Sequence, residues 1–301
     1  MEIILCAIGK IARDQHIPAI AASKDWDLAA TVSRSGGVDG VPGYTNINDA
    51  LEAHPDVQVY SLCHPAAPRY DVAKTLIENG KDVMLEKPPG ATLAEIFDLE
   101  RRARDAGVSL YATWHSRQAD GVQAAADWLK SRTITRAHIT WREDVRLWHP
   151  GQDWVFDPGG MGVFDPGINA LSILTHILPD PVHLTDATLE FPSNRAMPIA
   201  ADLTFSGHVT ADFDWRQDGP QTWEIEVETT DGTLILKDGG ARLFIDGQDQ
   251  NATGMGEYPA LYAQMADLVR DRKSNVDLAP MIHLSDAFTL GRRKTVDAFE
   301  F

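Results

Sequence analysis

The sequence predicts an α/β fold in which a doubly wound, parallel Rossmann sheet is followed by an α+β domain with a largely antiparallel, open-faced sheet. Up to about residue 115, continuous apolar runs alternate with helical patterns, which is typical of a parallel sheet covered on both faces. Beyond Gln118 the apolar residues alternate with polar ones, which indicates a sheet with one covered face. The chain has 301 residues, more than one hydrophobic core usually supports, so we expect two domains, 1–117 and 118–301.

The elements are predicted in order from these periodicities. In the first domain, strands are predicted over residues 3–8, 28–33, 57–63, 82–86 and 109–113, and helices over 10–23, 48–54, 69–79 and 93–106. In the second domain, strands are predicted around 137–141 and over 184–191, 201–205, 210–215, 223–229, 233–236 and 243–245. Helices are predicted over 122–131, 167–178, 258–273 and 284–298.

Composition and charge argue against several functions. The net charge of −17 repels a phosphate backbone, so we expect no nucleic-acid partner. No apolar run approaches the roughly 20 residues of a membrane helix, and residues 3–8 lack the basic flank and cleavage site of an export signal. Cys6 and Cys63 lie in predicted core strands and are expected to be free thiols. We therefore expect a cytoplasmic protein that binds no membrane.

A nucleotide-binding pattern follows the first strand. Residues Ala7 to Ala12, with the sequence AIGKIA, open a helix and form a variant of the G-x-G-x-x-G/A fingerprint. Gly9 allows the backbone to approach a pyrophosphate, and Ala12 allows close packing of helix and strand. We assign Gly9, Lys10, Ile11 and Ala12 to the cofactor site, and expect Ala7 to keep a negative φ because it carries a Cβ.

The end of the second strand favours NADP over NAD, with NAD as a second possible cofactor. An NAD-binding fold usually carries an acidic residue about 20 residues after the fingerprint, where it binds the ribose hydroxyls. Here the strand ends in Ser33-Arg34-Ser35, and an arginine suits a 2′-phosphate. Cys63, at the end of the strand predicted over residues 57–63, and His64 and Pro65 directly after it are also assigned to the cofactor site.

An unusual lysine follows the strand predicted over residues 82–86. Glu86 and Lys87 precede two prolines, which force the chain out of the sheet. A lysine at the buried end of a strand is unfavourable unless a charge or a movable proton is needed there. Open α/β sheets bind ligands at the carboxyl ends of their strands, and strand alternation directs only one of these two side chains into that crevice.

The second domain contains a further polar cluster. Residues 141–151 combine polar and aromatic groups in a way that no core strand would. A glycine-rich loop then leads into a helix, with Asp165 expected at the N-cap and Pro166 at the first helical position. Asn169 follows Asp165 by four residues and lies on the same helical face.

These three segments resemble the glucose–fructose oxidoreductase, inositol dehydrogenase and rhizopine catabolism (Gfo/Idh/MocA) family over essentially the full length. They are the Ala7–Ala12 loop, the segment Glu86-Lys87-Pro88, and the segment from Asp165 to Asn169. Longer strings, such as those at residues 10–16, 86–93, 113–116 and 148–152, resemble the L-arabinose and D-galactose 1-dehydrogenases of this family.

The resemblance implies a sugar site between the two domains. Lys87 matches the lysine that handles the substrate proton, and Asp165 matches its paired acid. Asn169 stands where much of the family has histidine, so positioning of substrate or nicotinamide is expected of it. Glu143 and His149 match residues near the sugar. His115, Trp148 and Trp223 are expected walls of the sugar site, because an indole suits the apolar face of a pyranose and histidine reaches a hydroxyl.

The implied activity is an NADP-using aldose 1-dehydrogenase that oxidises L-arabinose or D-galactose to the lactone. Hydride transfer needs no metal, and none is expected. The resemblance also implies a homodimer. Two alternatives remain open: a dehydrogenase of another sugar or polyol such as an inositol, and a nucleotide-bound sugar sensor without catalysis.

Overall fold

The computed structural model describes residues 1–34 and 36–301, so Ser35 of the predicted cofactor site lies outside the described residues. The chain divides into two compact units. The first contains Met1–His115 and Gly256–Asp277, and the second contains Ser116–Met255 and Leu278–Phe301. The segment Gly256–Asp277, which the sequence analysis assigns to the second domain, thus belongs to the first unit.

The first unit contains a six-stranded parallel sheet with the order β3-β2-β1-β4-β5-β6. Its strands are β1 (Glu2–Cys6), β2 (Asp27–Val32), β3 (Gly43–Tyr44), β4 (Val59–Leu62), β5 (Asp82–Leu85) and β6 (Leu110–Ala112). A π-helical turn (Ala12–His16) leads into α1 (Ile17–Ala22), followed by α2 (Ile47–Ala53), α3 (Ala66–Glu78) and α4 (Leu93–Ala106). This strand order confirms the predicted Rossmann sheet, whose order reverses between β1 and β4.

The second unit contains a nine-stranded mixed sheet, ordered β14-β13-β12-β11-β7-β10-β9-β8-β15. Its strands are β7 (Ile134–Arg142), β8 (Leu184–Pro192), β9 (Ala200–Phe205), β10 (Val209–Asp214), β11 (Thr222–Thr229), β12 (Gly232–Lys237), β13 (Arg242–Ile245), β14 (Gln248–Asp249) and β15 (Arg292–Val296). The helices of the rest of the chain are α5 (Val122–Leu129), α6 (Val145–Trp148), α7 (Phe164–Ile177), α8 (Glu257–Asp271) and α9 (Ala279–Leu290), of which α8 belongs to the first unit.

One face of this second sheet is covered and the other carries charges. Helices α5, α7 and α9 pack on the covered face over a core that includes Ile139, Phe213 and Leu236. On the other face, ion pairs join neighbouring strands, for example Lys237 with Glu224 at 3.1 Å. The predicted alternation is thus confirmed, although two strand pairs, β7 with β10 and β8 with β15, are parallel.

The C-terminal helix predicted over residues 284–298 is confirmed only as far as Leu290, and its second half is wrong. Helix α9 begins earlier, with Pro280 in its first turn, and ends at Leu290 before Gly291. Residues Arg292–Val296 form β15 instead, because they pair with β8, and Lys294 meets Glu190 of β8 at 2.6 Å. Pairing with an existing strand outweighs the local helical pattern here.

Helix α8 explains why a late segment joins the first unit. Its buried residues Leu261, Tyr262 and Met265 pack in the same core as Ile3 and Met84 of the parallel sheet. In addition, the Tyr262 carbonyl accepts a hydrogen bond of 2.8 Å from the Trp26 indole. Among the helices of residues 1–34 and 36–301, none is long and apolar enough to cross a membrane.

The turn after β1 contains a residue in the left-handed conformation. Ala7 has φ of 68°, so the expected negative φ is wrong. The turn is fixed by two backbone bonds, from the Ala7 N–H to the Val32 carbonyl at 2.8 Å and from the Gly9 N–H to the Ala7 carbonyl at 3.0 Å. An L-residue in this region costs about 1–2 kcal/mol, which glycine avoids.

We therefore expect Ala7→Gly to raise the free energy of unfolding. The relieved backbone strain exceeds the entropy that glycine adds to the unfolded chain, so the net gain is about 0.5–1 kcal/mol, measurable by urea denaturation. Ala12→Gly, at a buried position inside the helical turn, is the matched control and should lower the free energy of unfolding by about 0.5–1 kcal/mol. A less stable Ala7→Gly protein would contradict this reading of the turn.

Candidate active site

The turn between β1 and α1 leaves open space at Gly9. A Cβ built on Gly9 meets no atom within 4 Å, and the Gly9 carbonyl accepts from the Arg13 N–H at 3.2 Å as the helix begins. Lys10 is exposed and pairs with Asp14, Ile11 is exposed, and Ala12 is buried. The backbone at Gly9 is therefore open to a pyrophosphate, as the fingerprint predicts.

Further residues of the predicted cofactor site follow β2 and β4. Ser33 is half-buried and Arg34 is exposed. His64 is half-buried, and burial together with the charges of Arg69 and Arg34 lowers its pKa to about 4, so it is neutral near pH 7. Within the described residues its buried Nδ1 atom has no hydrogen-bond partner. An open glycine turn and an unsatisfied buried nitrogen at one sheet edge fit a nucleotide cofactor.

The backbone at Lys87 is held in place by the side chains of Glu86 and Arg69. Lys87 directly follows β5 and Glu86, is half-buried, and its N–H donates to the Glu86 carboxylate at 2.5 Å. The buried guanidinium of Arg69 donates to the carbonyls of Glu86 and Pro88 on either side of Lys87, and to that of His64. Arg69 therefore ties the segments after β4 and β5 together.

The Glu86 side chain points into the protein, where sequence reasoning found no partner for it. Tyr258 of α8 donates to Glu86 Oε1 at 2.7 Å, and His16 Nε2 lies 3.3 Å from the same oxygen. Burial disfavours the charged carboxylate, but these neighbours outweigh it and hold the pKa of Glu86 well below its usual range. Glu86 is thus a buried anion of the protein interior, and the assignment of Glu86 and Lys87 to the cofactor site, which their place after β5 suggests, stays a prediction.

His115 is bound to another residue of α8. Its Nδ1 atom lies 2.8 Å from Glu257 Oε2, and its ring stacks on Tyr258 with centroids 5.5 Å apart. Burial disfavours the imidazolium, but Glu257 and Glu86 outweigh it and raise the pKa of His115 despite the opposing charge of Lys87. Two consecutive residues of α8 are therefore involved: Glu257 contacts His115, and Tyr258 contacts both His115 and Glu86.

In the second unit, Glu143 is held between two tryptophans. The Trp215 indole donates to Oε1 and the Trp223 indole to Oε2, each at 2.9 Å, and Glu143 is 3% exposed. Burial raises the pKa of Glu143 to about 7, with a further upward effect from Asp165, whereas the two indoles and His149 lower it. Glu143 therefore changes charge near neutral pH.

His149 and Asp165 form a pair within the second unit. His149 Nε2 lies 3.2 Å from Asp165 Oδ2, and both side chains are mostly buried. The expected N-cap at Asp165 is wrong, because α7 begins at Phe164 and Asp165 lies in its first turn. In the stretch from Phe164 to Leu174, only Asp165 and Asn169 are incompletely buried, which places them on one accessible face.

The glycine-rich loop before α7 is required by close packing. A Cβ on Gly160 would lie 2.5 Å from the Val155 carbonyl oxygen, and one on Gly162 would overlap the Pro198 carbonyl at a left-handed φ of 54°. Only glycine fits at these positions. The loop thereby fixes where α7 starts, and with it the position of Asp165.

Aromatic rings line the same region of the second unit. Trp223 stacks on Trp141 with centroids 5.8 Å apart and contacts Trp148 at 5.2 Å. Trp148 is the last residue of the short helix α6, which the sequence analysis did not predict, and it is 43% exposed. Exposed indole faces next to polar groups suit a sugar ring.

Sequence reasoning missed several residues of these clusters: His16, Arg69, Trp215, Glu257 and Tyr258. His16 lies in one of the strings that carry the family resemblance, but nothing in its own pattern indicates a carboxylate partner. The tyrosine and glutamate of α8 are some 170 residues from Glu86 along the chain and were assigned to the other domain.

Comparison with known proteins places the chain among oxidoreductases. Residues 1–113 match the oxidoreductase family with an NAD-binding Rossmann fold, Gfo/Idh/MocA. The chain is 40% identical to galactose 1-dehydrogenase of Pseudomonas fluorescens, over 98% of this chain and 97% of that protein. The crystal structure of a D-galactose-1-dehydrogenase protein from Rhizobium etli is 52% identical, covers 99% of this chain and 97% of its own, and superposes with a TM-score of 0.96.

A more distant structure shares the fold alone. The 3-ketoreductase KijD10 from Actinomadura kijaniata, solved with NADP and TDP-benzene, is 17% identical with a TM-score of 0.82, and the match covers 98% of this chain and 99% of that one.

The charge of Glu143 should be visible in the indole resonances of its two donors. We expect the Nε1–H signals of Trp215 and Trp223 to move in ¹H–¹⁵N spectra with a midpoint at about pH 7, because Glu143 is protonated below that value. Trp223→Phe removes one donor to the carboxylate and should raise the midpoint seen at Trp215. Trp26, which donates to a backbone carbonyl, is the control and should not follow this midpoint. Glu143→Gln should abolish the titration, and a midpoint near the ordinary glutamate value would contradict the assignment.

Proposed function

This chain belongs to the Gfo/Idh/MocA family of oxidoreductases, and we propose that it is an aldose 1-dehydrogenase that oxidises D-galactose at the anomeric carbon to the lactone. We include L-arabinose as a substrate, because the two sugars share ring stereochemistry. We further propose NADP as the preferred hydride acceptor.

One observation carries the proposal. Lys87 follows β5 at the carboxyl edge of the parallel sheet, in a chain that is 52% identical over nearly its whole length to a protein described as a D-galactose-1-dehydrogenase. That edge also carries the open Gly9 turn after β1, and β1, β4 and β5 are neighbours in the sheet. In open α/β sheets this is where ligands bind.

The proposed reaction removes a hydride from C1 and a proton from the C1 hydroxyl, so that the C1–O bond becomes the lactone carbonyl. When bound, the nicotinamide supplies the acceptor for the hydride. The family resemblance assigns the hydroxyl proton to Lys87 and its paired acid Asp165. His149, which lies 3.2 Å from Asp165, orients that carboxylate.

The second unit supplies the proposed sugar contacts. Glu143 is fixed by two indole donors and keeps lone pairs for sugar hydroxyls, and Asn169 presents an amide on the face it shares with Asp165. Trp148 and Trp223 offer ring faces, and His115 offers a polar ring edge.

The cofactor is proposed to bind along the carboxyl edge of the first sheet. The amides that follow Gly9 face the pyrophosphate, and Ser33 and Arg34 hold the 2′-phosphate of NADP. The buried, unsatisfied His64 Nδ1 supplies one more polar contact for the nucleotide.

Turnover of sugars tests the proposal directly. We expect reduction of NADP with D-galactose and L-arabinose, and kcat lowered about 10²–10⁴-fold by Lys87→Ala because a positioned proton acceptor contributes that much. Lys24→Ala, at an exposed position of the same unit, is the control and should keep its kcat. Turnover only with inositols would favour the polyol alternative, and sugar binding without turnover would favour a sensor. Near-normal kcat in Lys87→Ala would remove Lys87 from the reaction.

Cofactor preference is tested at Arg34. Arg34→Ala should weaken NADP binding about 10–100-fold and leave NAD binding within about twofold, because a charged hydrogen bond to phosphate contributes about 1.5–3 kcal/mol. Kd is measured by titration of protein fluorescence. Arg104→Ala makes the same change of charge at an exposed site on α4 and controls for the general field. Equal losses for both cofactors would refute the 2′-phosphate contact.

A further inference from the structure

Glu86 and His16 form a buried ion pair directly behind Lys87. Glu86 is 5% exposed and His16 is 1% exposed, and His16 Nε2 lies 3.3 Å from Glu86 Oε1. The other ring nitrogen, Nδ1, lies 2.7 Å from the Tyr262 hydroxyl. Both nitrogens therefore have partners, and the imidazole is fixed between α8 and the end of β5.

The imidazole is charged across the neutral range. Burial opposes the charged form, but the Cys63 sulfur and the Glu86 carboxylate outweigh it and raise the pKa of His16 to about 10. Glu86 is ionised at the same time. Burial alone would raise the pKa of Glu86, and His16 contributes most among the neighbours that lower it. The two charges stabilise each other where neither would persist alone.

Other titratable and charged groups face this pair from every element packed around it. They are Cys63 after β4, Arg69 of α3, Lys87 after β5, His115 after β6, and Glu257, Tyr258 and Tyr262 of α8. Of these, Tyr258 and the Lys87 N–H donate directly to the Glu86 carboxylate. Arg69 donates to the backbone carbonyl of Glu86, whose position it fixes independently of the carboxylate charge.

We propose that His16 is a positioning residue for the reaction: it keeps Glu86 ionised, and the ionised carboxylate holds the backbone N–H of Lys87. The inference rests on the proposed function of Lys87. A hydrogen bond to a carboxylate is about twice as strong as one to a neutral acceptor, so a neutral Glu86 holds the Lys87 peptide less firmly. A lysine that handles a proton needs its side chain anchored at a defined point.

Removing the His16 charge should raise the pKa of Glu86. Without the imidazolium, burial becomes the dominant influence on Glu86, which then takes up a proton at a higher pH. His16→Gln keeps a polar side chain between Glu86 and Tyr262 but carries no charge. Its Glu86 is ionised at alkaline pH and becomes neutral as the pH falls.

The experiment compares kcat of the variant with kcat of the parent from about pH 8.5 to about pH 5.5, with cofactor and sugar saturating. For His16→Gln, the ratio of kcat to that of the parent should fall about tenfold toward acid pH. Glu86→Gln, which imitates the neutral acid, should have a low ratio of about the same size at every pH. In the double variant His16→Gln/Glu86→Gln the ratio should no longer depend on pH.

Tyr262→Phe is the matched control, because it removes a buried partner of His16 and leaves the His16 charge and the Glu86 contacts in place. Its ratio should be constant with pH. A constant ratio for His16→Gln, or a pH dependence that persists in the double variant, overturns the inference.

The two proposals fail separately. If Lys87→Ala retains near-normal kcat, the function proposed for Lys87 fails, whatever His16 does. If Lys87→Ala is inactive and His16→Gln follows the parent at all pH values, only the role of His16 fails. Should His16→Gln not fold, Glu86→Gln decides: a kcat equal to that of the parent overturns the inference, and a uniform loss with unchanged cofactor Kd supports it.

Discussion

The first unit depends on one electrostatic constraint, the ionised carboxylate of Glu86 inside the protein. Burying an isolated carboxylate costs roughly several kcal/mol even after the surrounding protein relaxes. The fold therefore has to bring cationic and hydrogen-bonding partners to it. They come from widely separated positions: His16 at the start of α1 and Tyr258 at the start of α8. This requirement accounts for the return of Gly256–Asp277 to the first unit, since the carboxylate would otherwise lose a donor and the sheet core would lose the apolar face of α8.

A second buried carboxylate, Glu143, shows how the type of partner decides the charge. Both carboxylates are almost fully buried and both have two or more donors, yet the pKa of Glu86 is held low and that of Glu143 is raised to about 7. The difference lies in the donors. Glu86 has an imidazolium at 3.3 Å, whereas Glu143 has two neutral indoles, with the charge of Asp165 opposing its ionisation. Neutral donors satisfy hydrogen bonds without compensating the charge, so desolvation prevails at Glu143.

Much of the fold was predictable because local periodicity and long-range packing agree over most of the chain. The strands of the parallel sheet are buried on both faces and read as continuous apolar runs, and the bounds of α4 were predicted without error. The failures occur where a distant partner decides. Residues Arg292–Val296 become a strand because β8 is beside them, and Ala7 takes a positive φ because Val32 and Gly9 fix both sides of the turn.

The same division applies to the candidate site. Residues such as Gly9, Lys87 and Asp165 carry local signals, namely a glycine turn, a lysine before prolines and an acid after a glycine loop. Their partners carry no such signals. Arg69 resembles any arginine early in a helix, although it ties together the carbonyls of His64, Glu86 and Pro88. A hydrogen bond to a backbone carbonyl can be made by any donor in reach, so sequence gives no sign of it.

The surroundings of Asp165 illustrate what a substitution within a family pattern does physically. Asn169 lies one helical turn after Asp165 on α7, at the position where the family resemblance implies histidine in many members, and an amide offers donors but never changes charge. An imidazole nevertheless lies 3.2 Å from Asp165, contributed by His149 after α6. Asp165 is therefore still paired with an imidazole, but the imidazole belongs to His149 and not to residue 169 of the same helix. Because His149 directly follows Trp148, the last residue of α6, the proposed proton handling at Asp165 and the proposed contact with the sugar ring depend on the same short segment, whose position is fixed at its start by Val145 in the core.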